Sequence, residues 1–83
     1  MIVVEVTVKF LASYRKLLPP EAEGNKFKVE IKPGTTVAGL MGRYGVPLTD
    51  DSVFLVNGLT PDSLDQPLKD GDSVAAFSAM AGG

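Results

Sequence analysis

Lys26-Phe27-Lys28-Val29-Glu30-Ile31-Lys32-Pro33-Gly34-Thr35-Thr36-Val37 is the stretch whose reading decides the fold. Up to Lys32 the side chains alternate: Phe27, Val29 and Ile31 fall on one side, Lys26, Lys28, Glu30 and Lys32 on the other. A period of two marks a strand with one face on a core and the other in water. Pro33-Gly34 ends that strand, and Thr35 or Thr36 carries the right side chain to cap a helix. The period then changes. Val37, Leu40, Met41 and Tyr44 lie at i, i+3, i+4 and i+7, the apolar stripe of one short helix. Gly39 and Gly42 weaken that helix by up to about 1 kcal/mol each relative to Ala. Packing must therefore hold it, and the two glycines would let it approach a sheet closely. Gly45 suits the position after the helix end, and Pro47 forbids continuation.

Working outward, residues 2–10 read as the partner strand, with Val4, Val6, Val8 and Phe10 alternating with Glu5, Thr7 and Lys9. The two strands should pair antiparallel. Between them, residues 11–18 form a helical turn or a loop stopped by Pro19-Pro20, and residues 21–25 are turn material. On the other side, residues 52–57 read as a third strand closed by Asn57-Gly58. Residues 61–68 are a loop with room for a short strand or turn around Leu64. Asp70-Gly71-Asp72 turns the chain into a last strand over residues 73–77, with Gly71 supplying a positive φ. Strand, strand, helix, strand, irregular crossing, strand is an α+β layout.

Beyond Phe77 the chain is different in kind. Ser78-Ala79-Met80-Ala81-Gly82-Gly83 has small side chains, no charged ones, and two terminal glycines. The expected division is a folded domain over residues 1–77 and a flexible tail over 78–83, able to reach about 20 Å if extended. A carboxylate on glycine has no Cβ beside it and can enter a narrow channel. If Val74 and Ala76 face the helix, then Ala75 and Phe77 face outward. If Phe54 and Val56 point inward, Leu55 lies on the same outer face as Phe77. Leu55, Ala75 and Phe77, with Met80, would then form an exposed apolar patch at the root of the tail, where a partner docks.

Composition restricts the chemistry. Eighty-three residues, 45% hydrophobic and 22% charged, make one small soluble domain without a deep cleft between domains. The chain lacks His, Cys and Trp. It therefore offers no imidazole base, no thiol nucleophile and no soft metal ligand, so an independent enzyme is disfavoured and only carboxylates remain as catalysts. Adjacent Asp50 and Asp51, with no further ligand cluster nearby, read as solvated rather than metal-binding. No apolar run is long enough to span a bilayer, and the first residues lack the basic start of a signal peptide, so the chain is read as cytoplasmic with no membrane partner. Residues 1–45 carry seven Lys and Arg against four Glu, and residues 46–83 carry Lys69 against six Asp, giving −2 in all. An acidic total argues against nucleic acid as a partner. The acidic half leads into the tail and suits a partner with a basic docking surface.

Several of these segments resemble one family. Phe10-Leu11-Ala12-Ser13-Tyr14-Arg15, Ile31-Lys32-Pro33-Gly34-Thr35-Thr36-Val37, Val56-Asn57-Gly58 and Pro67-Leu68-Lys69-Asp70-Gly71-Asp72-Ser73-Val74, with the terminal Ala81-Gly82-Gly83, are similar to the MoaD/ThiS family of ubiquitin-like sulfur carriers. The resemblance implies a ubiquitin-like β-grasp: a mixed sheet of four to five strands with one main helix on one face. It also implies a carrier rather than an enzyme. An E1-like enzyme uses ATP and magnesium, held by that enzyme and not by this chain, to adenylate the carboxylate of Gly83. A sulfur donor converts the acyl-adenylate to a thiocarboxylate, with Ala81 and Gly82 completing the tail. The phenylalanine-to-arginine segment and the terminal residues look closer to the molybdopterin synthase small subunit, whose partner is the large subunit, than to the carrier that serves thiazole synthase. A ubiquitin-like protein modifier would use the same end.

Overall fold

The alternation of residues 2–10 and 26–32 produces a hairpin. In the computed structural model, which describes residues 3–79, β1 (Val4–Phe10) and β2 (Lys26–Ile31) pair antiparallel, Val4 opposite Ile31 and Val8 opposite Phe27. Val4, Val6, Val8, Phe10, Phe27 and Ile31 are buried and Val29 is half-buried, so the expected inner face is the observed one. Ile2, expected to open the first strand, lies outside the described residues. Residues 12–17, readable from sequence as either helical turn or loop, form a 3-10 segment (Ala12–Leu17) that buries Tyr14.

The helix α1 (Val37–Arg43) buries Val37, Leu40 and Met41 in the same core. Its ends show why so short a helix holds. Of the two threonines, Thr36 is the cap, its side chain accepting from the Gly39 N–H at 3.0 Å. The Val37 and Ala38 N–H groups, which a helix start leaves without intrahelical partners, donate to the carbonyls of Gln66 at 3.2 Å and Leu64 at 2.9 Å. The crossing segment is thus a backbone cap, and around Leu64 no strand forms; its ladder contact is an isolated bridge between Thr36 and Pro67. At the other end Gly45, at φ +75°, donates to Gly42, and Val46 donates to Met41, with Val46 buried. This is the Schellman arrangement, in which a left-handed glycine lets the last carbonyls be used.

The remaining strands, β3 (Ser52–Val56) and β4 (Ser73–Ser78), complete a four-stranded mixed sheet in the order β2-β1-β4-β3. β4 runs parallel to β1 and antiparallel to β3. A fifth strand is not present among the described residues. Phe10, Phe27 and Tyr44 meet edge to face, with ring centroids 5.1 to 5.7 Å apart, and fasten the hairpin to the helix end. Burial raises the Tyr44 phenol above its ordinary pKa, with Arg43 opposing and Glu21 adding to the rise.

One expectation fails. Gly39 and Gly42 do not bring the helix close to the sheet. Both are away from the stripe of Val37, Leu40 and Met41, Gly42 exposed and Gly39 on the rim beside the cap. A Cβ at Gly39 would meet Thr36 Oγ1 at 3.3 Å, so that glycine makes room for the cap; one at Gly42 would meet nothing within 4 Å. Gly42 therefore weakens the helix without serving a contact. Replacing it by alanine should raise stability by about 0.5–1 kcal/mol in urea unfolding; an unchanged or lower value would mean that the Gly42 position is not free helix surface.

Candidate functional site: the outer face of β4 and the root of the tail

Which face β4 turns outward is set by the turn before it. Gly71 adopts φ +88° and donates to the Glu5 carbonyl at 2.8 Å, while the Glu5 N–H donates to Asp70 Oδ1 at 2.8 Å. Asp72 accepts from the Lys69 N–H through Oδ2 and from Asn57 Nδ2 through Oδ1, and its carbonyl accepts from the Thr7 N–H. Asn57, itself at φ +54°, returns Oδ1 to the Ser73 N–H and donates its own N–H to the Ser73 carbonyl. The turn is structural, as its sequence suggested, and it ties β1, β3 and β4 together at a single register.

That register places Val74 and Ala76, both fully buried, on the inner face. Ala75 and Phe77 take the outer face, where Ala75 lies opposite Leu55 on one side and Lys9 on the other, and Phe77 lies opposite Val53. The predicted trio Leu55, Ala75 and Phe77 is therefore brought together, with Leu55 and Phe77 as diagonal neighbours within reach of an aromatic ring. Their exposure differs from expectation: all three are half-buried, not exposed. For Ala75 and Phe77 the cause is that β4 is an interior strand with a neighbour on each side; Leu55, on the edge strand β3, is flanked by β4 on one side only. Among the described residues the large exposed apolar side chains lie elsewhere, at Val3, Leu48 and Leu59. Val53 belongs to the patch and is absent from the predicted set, although its parity with Leu55 along β3 would have found it.

At the root of the tail, β4 continues one residue past the expected end, to Ser78 opposite Ser52. The Ala79 N–H then donates to the Asp51 carbonyl at 2.6 Å. Ser52 holds the loop that supplies this carbonyl: its N–H donates to Thr49 O, its Oγ donates to Pro47 O at 2.6 Å, and it meets the Tyr14 hydroxyl at 2.5 Å. No local pattern in the sequence could reveal these contacts, because they use backbone carbonyls and a pair 38 residues apart. Met80, Ala81, Gly82 and Gly83, the other predicted site residues, lie outside the described residues. Among the described residues no group of three His, Cys, Asp or Glu side chains is placed to hold a metal, and no helix is long and apolar enough to cross a membrane.

Similarity to known proteins bears on this geometry. The family model for Mut7-C ubiquitin matches residues 3–81. None of the curated proteins matches the sequence. Among solved structures, a Pyrococcus furiosus protein described as molybdopterin converting factor subunit 1 is 29% identical, with a TM-score of 0.69 over 90% of this chain and 97% of its own. The Haloferax volcanii small archaeal modifier protein 1 shares 20% identity at a TM-score of 0.69, over 90% of this chain and 97% of its own. The ubiquitin of Caldiarchaeum subterraneum shares 14% at 0.57, over 98% of this chain and 99% of its own. The resemblance to small ubiquitin-like carriers and modifiers thus extends from the quoted motifs to the whole fold, a β-grasp. With nearly every residue covered by that family match, this chain belongs to the Mut7-C ubiquitin family.

Proposed function

We propose that this protein is a sulfur carrier acting in the cytoplasm on the route to molybdopterin. An E1-like enzyme joins the carboxylate of Gly83 to the α-phosphorus of ATP, with magnesium assisting and pyrophosphate leaving. Sulfur from a donor then displaces AMP to give a thiocarboxylate. The carrier presents that sulfur to the large subunit of a synthase. The observation that carries this reading is the course of β4. It is the last strand among the described residues, it turns Ala75 and Phe77 outward, and in sequence it precedes Ala81-Gly82-Gly83 in a chain without His or Cys. Such a body offers a partner a grip and a slender acyl group, and leaves nucleotide, metal and catalytic groups to that partner.

The description of the Pyrococcus furiosus protein favours molybdopterin over thiazole as the destination. The name of the Haloferax protein favours a second reading, in which the same activated glycine forms isopeptide bonds with lysines of other proteins. One experiment separates them. The full chain is incubated with its activating enzyme, ATP, magnesium and a sulfide source. The carrier reading expects a mass gain equal to the exchange of one oxygen for one sulfur, abolished by one alanine added after Gly83. With cell extract added to the same mixture, conjugates on many of its lysines with no such exchange would select the modifier.

In the proposed interface, made of Leu55, Ala75, Phe77 and Met80, Phe77→Asp should cut the kcat/KM of activation at least tenfold. The melting temperature should fall by only a few degrees, because Phe77 is on the outer face. Ala76→Asp, which buries an unpaired carboxylate, should unfold the domain and serves as the contrast. A comparable collapse in Phe77→Asp would remove Phe77 from the interface and assign it to the core.

A further inference from the structure

Tyr14 is buried, and its hydroxyl reaches Ser52 across 38 residues of sequence. The single proton of the Ser52 hydroxyl goes to Pro47 O, so the Tyr14 hydroxyl must be the donor to Ser52 Oγ. The result is a directed chain from a core-anchored ring, through Ser52, to the carbonyl of Pro47. The Ser52 N–H adds a bond to Thr49 O. Residues 47–51 are all exposed, so little packing holds this loop, and hydrogen bonds converging on Ser52 give it shape. Asp51 immediately precedes Ser52, and its carbonyl is the acceptor for the Ala79 N–H.

We propose that Tyr14, acting through Ser52, is a positioning residue for the tail. It shapes the 47–51 loop so that the Asp51 carbonyl clamps Ala79, which fixes the chain as far as residue 79 rather than 77. The use made of the residues beyond rests on the carrier reading above; the clamp does not. Four residues beyond Ala79 reach at most about 14 Å, against about 20 Å for the six beyond Phe77. A partner that grips the outer face of β4 must therefore place its reactive atoms within about 14 Å of Ala79. A shorter arm of matched length raises the effective concentration of the chain end at that point.

Amide hydrogen exchange on the full chain, read residue by residue by NMR, tests the clamp. The Ala79 amide should exchange at least tenfold more slowly than its intrinsic rate. Tyr14→Phe, which keeps the ring, and Ser52→Ala should each speed it about fivefold, the equivalent of one hydrogen bond of about 1 kcal/mol. Ser52→Thr, which keeps the hydroxyl, should restore protection, and the Val8 and Val74 amides in the central strands should not change in any variant. Exchange of Ala79 at its intrinsic rate in the unaltered protein overturns the inference. So does unchanged Ala79 protection in Ser52→Ala, which decides the matter if Tyr14→Phe loosens the core and accelerates Val8. No activating enzyme enters this measurement, so failure of the carrier reading in the sulfur-exchange assay and failure of the clamp are separately visible.

Discussion

The register of β4 is the constraint on which the rest of the molecule depends. Side chains along a strand alternate, so a slip of one residue would bring Ala75 and Phe77 into the core and expel Val74 and Ala76. The chain prevents this slip before the strand begins. Asp70, Gly71 and Asp72 bond to Glu5 and Thr7 on one side and to Asn57 on the other, and Asn57 closes on Ser73. Several of these bonds come from side chains that act as fixed-length struts, and a strut cannot be satisfied one residue out of place. A positive φ at Gly71 and another at Asn57 complete the geometry. The apolar outer face of β4 is therefore a consequence of polar chemistry some distance before it.

The inner and outer faces of the sheet then divide the work. Stability is concentrated inside, where the helix stripe, the alternate residues of all four strands, Tyr14, Val46 and Leu68 make one cluster. The helix adds to it only because its ends are satisfied by Thr36, by the Leu64 and Gln66 carbonyls, and by Gly45. The crossing segment, which contributes no strand, supplies those carbonyls and brings Asp70 and Asp72 to β1. Outside, the patch of Val53, Leu55, Ala75 and Phe77 is only half-buried and sits beside Lys9. Neither the core nor the caps contribute to that patch.

How much of this is legible in the sequence depends on the range of each interaction. The phases of β1, β2, β3 and β4 are readable because alternation is local, and the cap at Thr35 or Thr36, Gly45 and Gly71 are readable because caps and turns demand particular residue types. The glycines of α1 mislead: a small residue in a helix can serve a sheet contact, a cap or nothing, and only the surroundings distinguish Gly39 from Gly42. The expected exposure of the patch fails for a related reason, since whether β4 lies at an edge or inside the sheet depends on strand order and not on composition. The struts from Asp70 and Asp72 and the meeting of Tyr14 with Ser52 span 65, 15 and 38 residues and leave no periodic trace.

Strand order also bears on how firmly each strand is held. β4 is hydrogen-bonded to β1 on one side and β3 on the other, whereas β2 and β3 form the edges. Peeling an edge strand breaks one ladder, but extracting β4 would break two and expose Val74 and Ala76 from the centre of the core. The exposed edges are blunted by different means: β2 carries exposed Lys26 and Lys28, and β3 is only five residues long. β4 is thus held by two ladders, and the Ala79 amide on the Asp51 carbonyl extends the one with β3 by a residue.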